Sequence, residues 1–141
     1  MNDIEMLNCI LQNAEMGCQG ISGVRRRIKH KAVDSVLCTQ LVRYGKIYSA
    51  ANSMLKSRGV EARRISPVAK TLAGLAAQRD LRRDASSSHI AEMMIKGNTM
   101  GVNKMVRHLR NYDRANPNIT LLAKKMIDTE EEHIRELRAF I

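Results

Sequence analysis

The chain has no tryptophan, one phenylalanine, three tyrosines and two prolines in 141 residues. That scarcity argues against a β-sandwich or barrel, which draws its strands from aromatic and β-branched residues and its turns from proline and glycine. No run of eighteen apolar residues is present to span a bilayer. The first 23 residues hold no lysine or arginine, so the basic-then-apolar order of a secretory signal is missing. Cysteine occurs at Cys9, Cys18 and Cys38; if the first two share a helix, they stand about 13 Å apart along its axis, beyond disulfide reach. These absences predict reduced, buried cysteines, a cytoplasmic location and no membrane partner. A Ser-His-Asp order, a nucleophile elbow, a glycine-rich phosphate loop and zinc-finger spacing are lacking too, which leaves hydrolytic and nucleotide-dependent catalysis unsupported.

What is present suits helices. Hydrophobic residues make up 44% of the chain, with nine methionines and abundant alanine and leucine, so the fold class is all-α, in one domain over residues 1–141. In the first segment Ile4, Leu7, Leu11, Ala14, Cys18 and Ile21 step by three and four, one stripe of a helix that Gly20 and Gly23 are expected to end. A second helix, from about Arg25 to Arg58, carries Val33, Leu37, Gln40, Tyr44, Ile47, Ala51 and Met54 on its inner stripe. Ser66-Pro67 starts a shorter helix to about Arg82, Ser86 to Ser88 cap another to about Tyr112, and Asn116-Pro117 start the last. The serine-capped helix is expected to be the most buried, with Gly97 and Gly101 leaving a gap for close helix approach. Residues 59–85 are longer than a helix hairpin needs, which implies a helical crossover between the second and third long helices.

The formal charge of +10 is uneven. Residues 24–85 hold 15 basic and 4 acidic groups, whereas residues 1–23 hold three acidic groups and no basic ones. Such a field draws anions of many kinds. Arg25, Arg26, Arg27, Lys29, His30 and Lys31 make nonspecific nucleic-acid binding one reading, although exposed stacking aromatics and a helix-turn-helix pattern are missing.

Polar residues on apolar stripes are the remaining candidates for chemistry. Glu130 continues the series Ala123, Ile127, Glu130, Ile134, Leu137, so its helical phase turns it inward, and His133 follows one turn later. Glu-x-x-His lets both side chains reach one cation. His89 and Glu92 repeat the spacing in reverse order, and Glu15 flanks the first stripe. With a crossover, Glu15, Glu92, Glu130 and His133 reach one level of the bundle.

The segments QNAEMG around Glu15, SHIAEMMIKGNTMG around His89 and Glu92, and TEEEHI around Glu130 and His133 resemble the ferritin-like superfamily, in an uncharacterised bacterial branch. The resemblance covers the whole chain. It implies a ferritin-like four-helix bundle with iron or manganese held by Glu15, His89, Glu92, Glu130 and His133, and, for any enzyme, oxidation at a metal centre. The pattern departs from that family in the second helix, where Gln40 and Tyr44 stand inward and Asp34 is the one carboxylate, near the start. A single cation is therefore expected before a bridged pair. The alternative is a non-catalytic scaffold or interaction bundle that forms a homo-oligomer.

Overall fold

Start signals act where serine, asparagine and proline place them. The computed structural model describes residues 1–141, with the side chain of Leu72 left aside. Five helices form: α1 (Asp3–Arg25), α2 (Lys31–Ser57), α3 (Pro67–Arg83), α4 (Ser87–Asn111) and α5 (Pro117–Arg138), with no strand among the described residues. Asn2 and Glu5 close a reciprocal capping box at 2.9 Å each way. Ser66, Ser86 and Asn116 each accept a first-turn amide, and prolines open α3 and α5. After α2, Gly59 adopts φ +70 and donates to the Lys56 carbonyl at 2.9 Å, a left-handed stop that glycine makes without steric cost.

Two boundaries differ from the sequence expectation. Gly20 and Gly23 lie inside α1, which continues to Arg25, and α2 starts at Lys31 and spans 27 residues. Tertiary contact outweighs the intrinsic helix cost of glycine, about 1 kcal/mol. Gln78 of α3 donates to the Gly23 carbonyl at 3.0 Å and braces that last turn.

Contacts at the helix ends set the directions. The Met1 ammonium donates to the Asn111 carbonyl at 3.0 Å, and Asp3 meets Arg58 at 3.5 Å and the Tyr112 hydroxyl at 2.5 Å. The start of α1 therefore lies beside the ends of α2 and α4. At the other end, His89 near the start of α4 meets Asp80 near the end of α3 at 3.0 Å. Between the ends, the Arg63 amide donates to Asn8 at 2.7 Å and Lys70 reaches Glu15 at 2.8 Å. Hence α2 and α4 run the same way, and α3 carries the chain back along α1.

The core is one cluster, including Met6, Leu7, Ile10, Leu11, Leu37, Ile47, Leu55, Ile90, Met105, Ile119 and Met126. The most buried helix is α1, with nine buried positions against six in α4, contrary to the expectation for α4. The reason is its place: α1 touches all four other helices. The glycine expectation also changes. Gly97 is exposed with nothing near its missing Cβ, and the space at Gly101 is taken by the Glu130 carboxylate, not by another helix backbone. Gly17 plays a similar part on α1, where a Cβ would stand 2.5–2.6 Å from the Tyr44 ring.

These two kinds of glycine are expected to respond oppositely to alanine. Gly17→Ala has to displace a packed ring and should lose about 1–3 kcal/mol in urea denaturation. Gly97→Ala should gain up to about 1 kcal/mol from helix propensity alone. A Gly17→Ala protein as stable as the unsubstituted chain would contradict the packing of Tyr44 on α1.

Candidate functional site

Halfway along the bundle the apolar core is interrupted by a layer to which each of α1, α2, α4 and α5 contributes. Glu130 is its centre, 3% exposed. Asn13 of α1 donates through Nδ2 to Glu130 Oε2 at 3.1 Å, and the Tyr44 hydroxyl of α2 lies 3.1 Å from Oε1. That hydroxyl is also 2.5 Å from Asn98 Oδ1 of α4, while Asn98 Nδ2 donates to the Met94 carbonyl at 2.8 Å. A carboxyl in such a place is costly unless its oxygens are bonded, and here both are.

The supply of protons in the layer bears on its charge state. Asn98 donates one of its amide hydrogens to Met94, so its oxygen faces Tyr44, whose single phenolic proton has two acceptors before it, Asn98 Oδ1 and Glu130 Oε1. When Tyr44 donates to Asn98, a protonated Glu130 can donate to the phenolic oxygen in turn. Every bond in the layer is satisfied when Glu130 is a neutral acid. Burial acts in the same direction: it pushes the Glu130 carboxyl up to about 7 from 4.5, against the lowering effect of the Asn13 and Tyr44 bonds. Burial, with the Glu130 charge second, likewise raises the Tyr44 phenol well above its ordinary value.

His133 lies one turn on, fully buried, its ring edge-on to Tyr44 with centroids 4.8 Å apart. Neither ring nitrogen has a hydrogen-bond partner among the described residues, and Gln40 Oε1 is also unpartnered. Burial first, and then the Arg43 charge, push the imidazole down to about 4, so it is neutral near pH 7. Gln40 donates to the His133 carbonyl at 3.4 Å and to Glu136 at 3.3 Å, and Arg43 pairs with Glu136 at 2.7 Å, a clasp between α2 and α5.

The remaining candidates go elsewhere. Glu15 is buried but turned toward Lys70 of α3 and Arg64 in the segment before it, which stand 2.8 Å and 3.5 Å from its oxygens. His89 is half-buried on Asp80, and Glu92 is exposed. The shared level expected for Glu15, Glu92 and Glu130 therefore does not bring them together, because Glu92 faces outward and Glu15 has cations of its own. Among the described residues no group of three or more His, Cys, Asp or Glu side chains is placed to hold a metal ion. The cysteines are free and half-buried. Asn13 and Asn98 are the layer residues that sequence reasoning missed. Their signal was spacing, Ile10-Asn13-Gly17 and Met94-Asn98-Gly101-Met105, but an amide lacks the charge that singles out a glutamate.

An all-α chain with a buried hydrogen-bonded acid is thus the class that fold and site define. It matches no protein-family model. No curated protein matches it. Among solved structures it is similar to the crystal structure of a DUF305 fragment from Deinococcus radiodurans, at 17% identity and a TM-score of 0.72, covering 96% of this chain and 92% of that one. At that identity the likeness is one of helical fold. Among the described residues no helix is long and apolar enough to cross a membrane.

The two perturbed groups give opposing pH dependences. Glu130, raised from 4.5 to about 7, holds its proton in the folded state after the unfolded chain has lost it, so its contribution falls as pH rises through that window. His133, lowered from 6.5 to about 4, stabilises above 6.5 and loses its contribution as pH falls toward 4. Glu130→Gln, which mimics the neutral acid, should remove the first slope. The stability difference between the unsubstituted chain and Glu130→Gln is expected to shift by about 3 kcal/mol against the unsubstituted chain between pH 4.5 and 7. Parallel denaturation profiles for the two proteins would refute the neutral-acid assignment.

Proposed function

We propose that the chain is a ferritin-like four-helix bundle, one domain with α3 as the crossover, that works as a non-catalytic interaction bundle through its surface. The parallel course of α2 and α4, the return of α3 along α1 and the likeness to the DUF305 fragment support the fold part. The donor set of the Glu130 layer, one carboxyl among two amides and a phenol, carries the functional part.

Iron or manganese at a ferritin-like centre calls for anionic oxygen ligands from several helices. At this layer α1 supplies Asn13, α2 Tyr44, α4 Asn98, and only α5 a carboxyl, both of whose oxygens are engaged. The donor set does not fit a bridged metal pair, and no catalytic step is derived from one. Surface contact has material of its own: Val42, Val68, Leu75, Met100 and Leu121 are large apolar side chains open to solvent on four helices, on a chain with a charge of +10. A homo-oligomer is one form such contact takes.

The competing reading, a single cation at Glu130 and His133, has the unpartnered His133 nitrogens in its favour. Titration of chelator-treated protein with Fe(II), Mn(II) and Zn(II), followed by calorimetry and thermal unfolding, separates the two. We expect no stoichiometric uptake and no shift in Tm. One equivalent bound tightly, and lost in both Glu130→Gln and His133→Gln, would replace the interaction reading with a metal-binding one.

A further inference from the structure

The amphipathicity of α3 is inverted for a helix that merely covers a core. The side that meets the bundle is largely polar: Lys70 reaches Glu15 at 2.8 Å, Gln78 donates to the Gly23 carbonyl at 3.0 Å, and Arg27 donates to Gln78 at 2.9 Å. Leu81 is the one buried apolar side chain among those described in α3. The outer side carries the apolar groups. Val68 and Leu75 are 69% and 65% exposed; seven residues is two helical turns, so both lie on one face. Ala69 and Ala76 are exposed beside them with the same spacing.

Arginines bracket this stripe. Arg63 and Arg64 precede the helix, and Arg79, Arg82 and Arg83 occupy its last turns, all exposed. Arg64 pairs with Glu15, whereas Arg63, Arg79, Arg82 and Arg83 make no salt bridge among the described residues. Over residues 58–83 there are seven basic groups and two acidic ones.

Resting on the surface-interaction reading, we infer that the outer face of α3 docks on an anionic lipid bilayer, with Val68 and Leu75 entering the acyl boundary and the arginines at both ends seated on headgroup phosphates. Charge complementarity selects the occupant. A second copy is disfavoured, because antiparallel pairing of two such helices sets the arginines of one C-terminal turn against those preceding the other, between chains that each carry +10. A bilayer is flat and extended, so basic groups across this side of the bundle act on it together, and it accepts a ridge of modest apolar side chains without a matching groove. Lying on a membrane in this way requires no spanning segment.

Cosedimentation of the full chain with phosphatidylcholine vesicles, with and without phosphatidylserine and in the presence of chelator, tests this. Binding to the phosphatidylserine vesicles is expected, weakening as salt rises, with none to phosphatidylcholine alone. Val68→Ser with Leu75→Ser should weaken it by roughly tenfold or more, and Arg79→Gln, Arg82→Gln and Arg83→Gln together by on the order of a hundredfold. All these positions are exposed, and circular dichroism checks that the variants remain helical. No sedimentation with anionic vesicles overturns the proposal. So does binding indifferent to Val68 and Leu75, or single-stranded DNA bound as tightly as the vesicles, since either would reduce the face to a general polyanion attraction. Because chelator is present, metal uptake in the core, which would defeat the functional reading, is measured separately.

Discussion

A carboxyl group removed from water has to be neutralised or bonded on every side, and the fold is organised around meeting that demand at Glu130. Its partners come from three other helices: Asn13 from α1, Tyr44 from α2 and, through Tyr44, Asn98 from α4. Each bond has a short range, so the set fixes the rotation and the height of the four helices relative to one another. Glycine is needed at two places for the same reason. The carboxylate occupies the volume that a side chain at Gly101 would fill, and the Tyr44 ring that of one at Gly17.

Around this layer the apolar core supplies most of the stabilisation, while the polar layer supplies specificity. The helix α1 lies at the centre because α3 covers the side that a plain bundle leaves open. That cover is held by ions and amides together with the packing of Leu81. Glu15, buried, faces Lys70 and Arg64, and the start of α4 is tied to the end of α3 through His89 and Asp80. Two of the five residues that the ferritin-like resemblance assigned to a metal thus secure the connector. With much of the inner face of α3 given to polar contacts, Val68 and Leu75 are left outside.

Much of the architecture was legible in the residues. Ser66-Pro67, Ser86 and Asn116-Pro117 start helices where capping chemistry says they should, and the inward phase of Glu130 follows from its apolar neighbours one and two turns away. Elsewhere the local signals mislead. Gly20 and Gly23 were expected to end a helix, because glycine is locally unfavourable there, yet a hydrogen bond from Gln78, 55 residues further along, sustains it. Glu92 and Glu15 were expected to face Glu130, because spacing along a helix gives depth but not rotation about the axis when the apolar stripe is broad. Asn13 and Asn98 went unnoticed, since a neutral amide on an apolar stripe gives a fainter signal than an ionisable group.

Periodicity, caps and composition are local properties, written over a few turns of chain, and they were enough to specify helices, their approximate ends and the burial of one carboxyl. Which side chains share that carboxyl, whether it carries charge, and which face of α3 meets water depend on groups brought together from positions 55 to 117 residues apart. Hydrogen-bond geometry and desolvation act over a few ångströms in space. They come into being only when the helices have packed, and so they were decided by the tertiary structure.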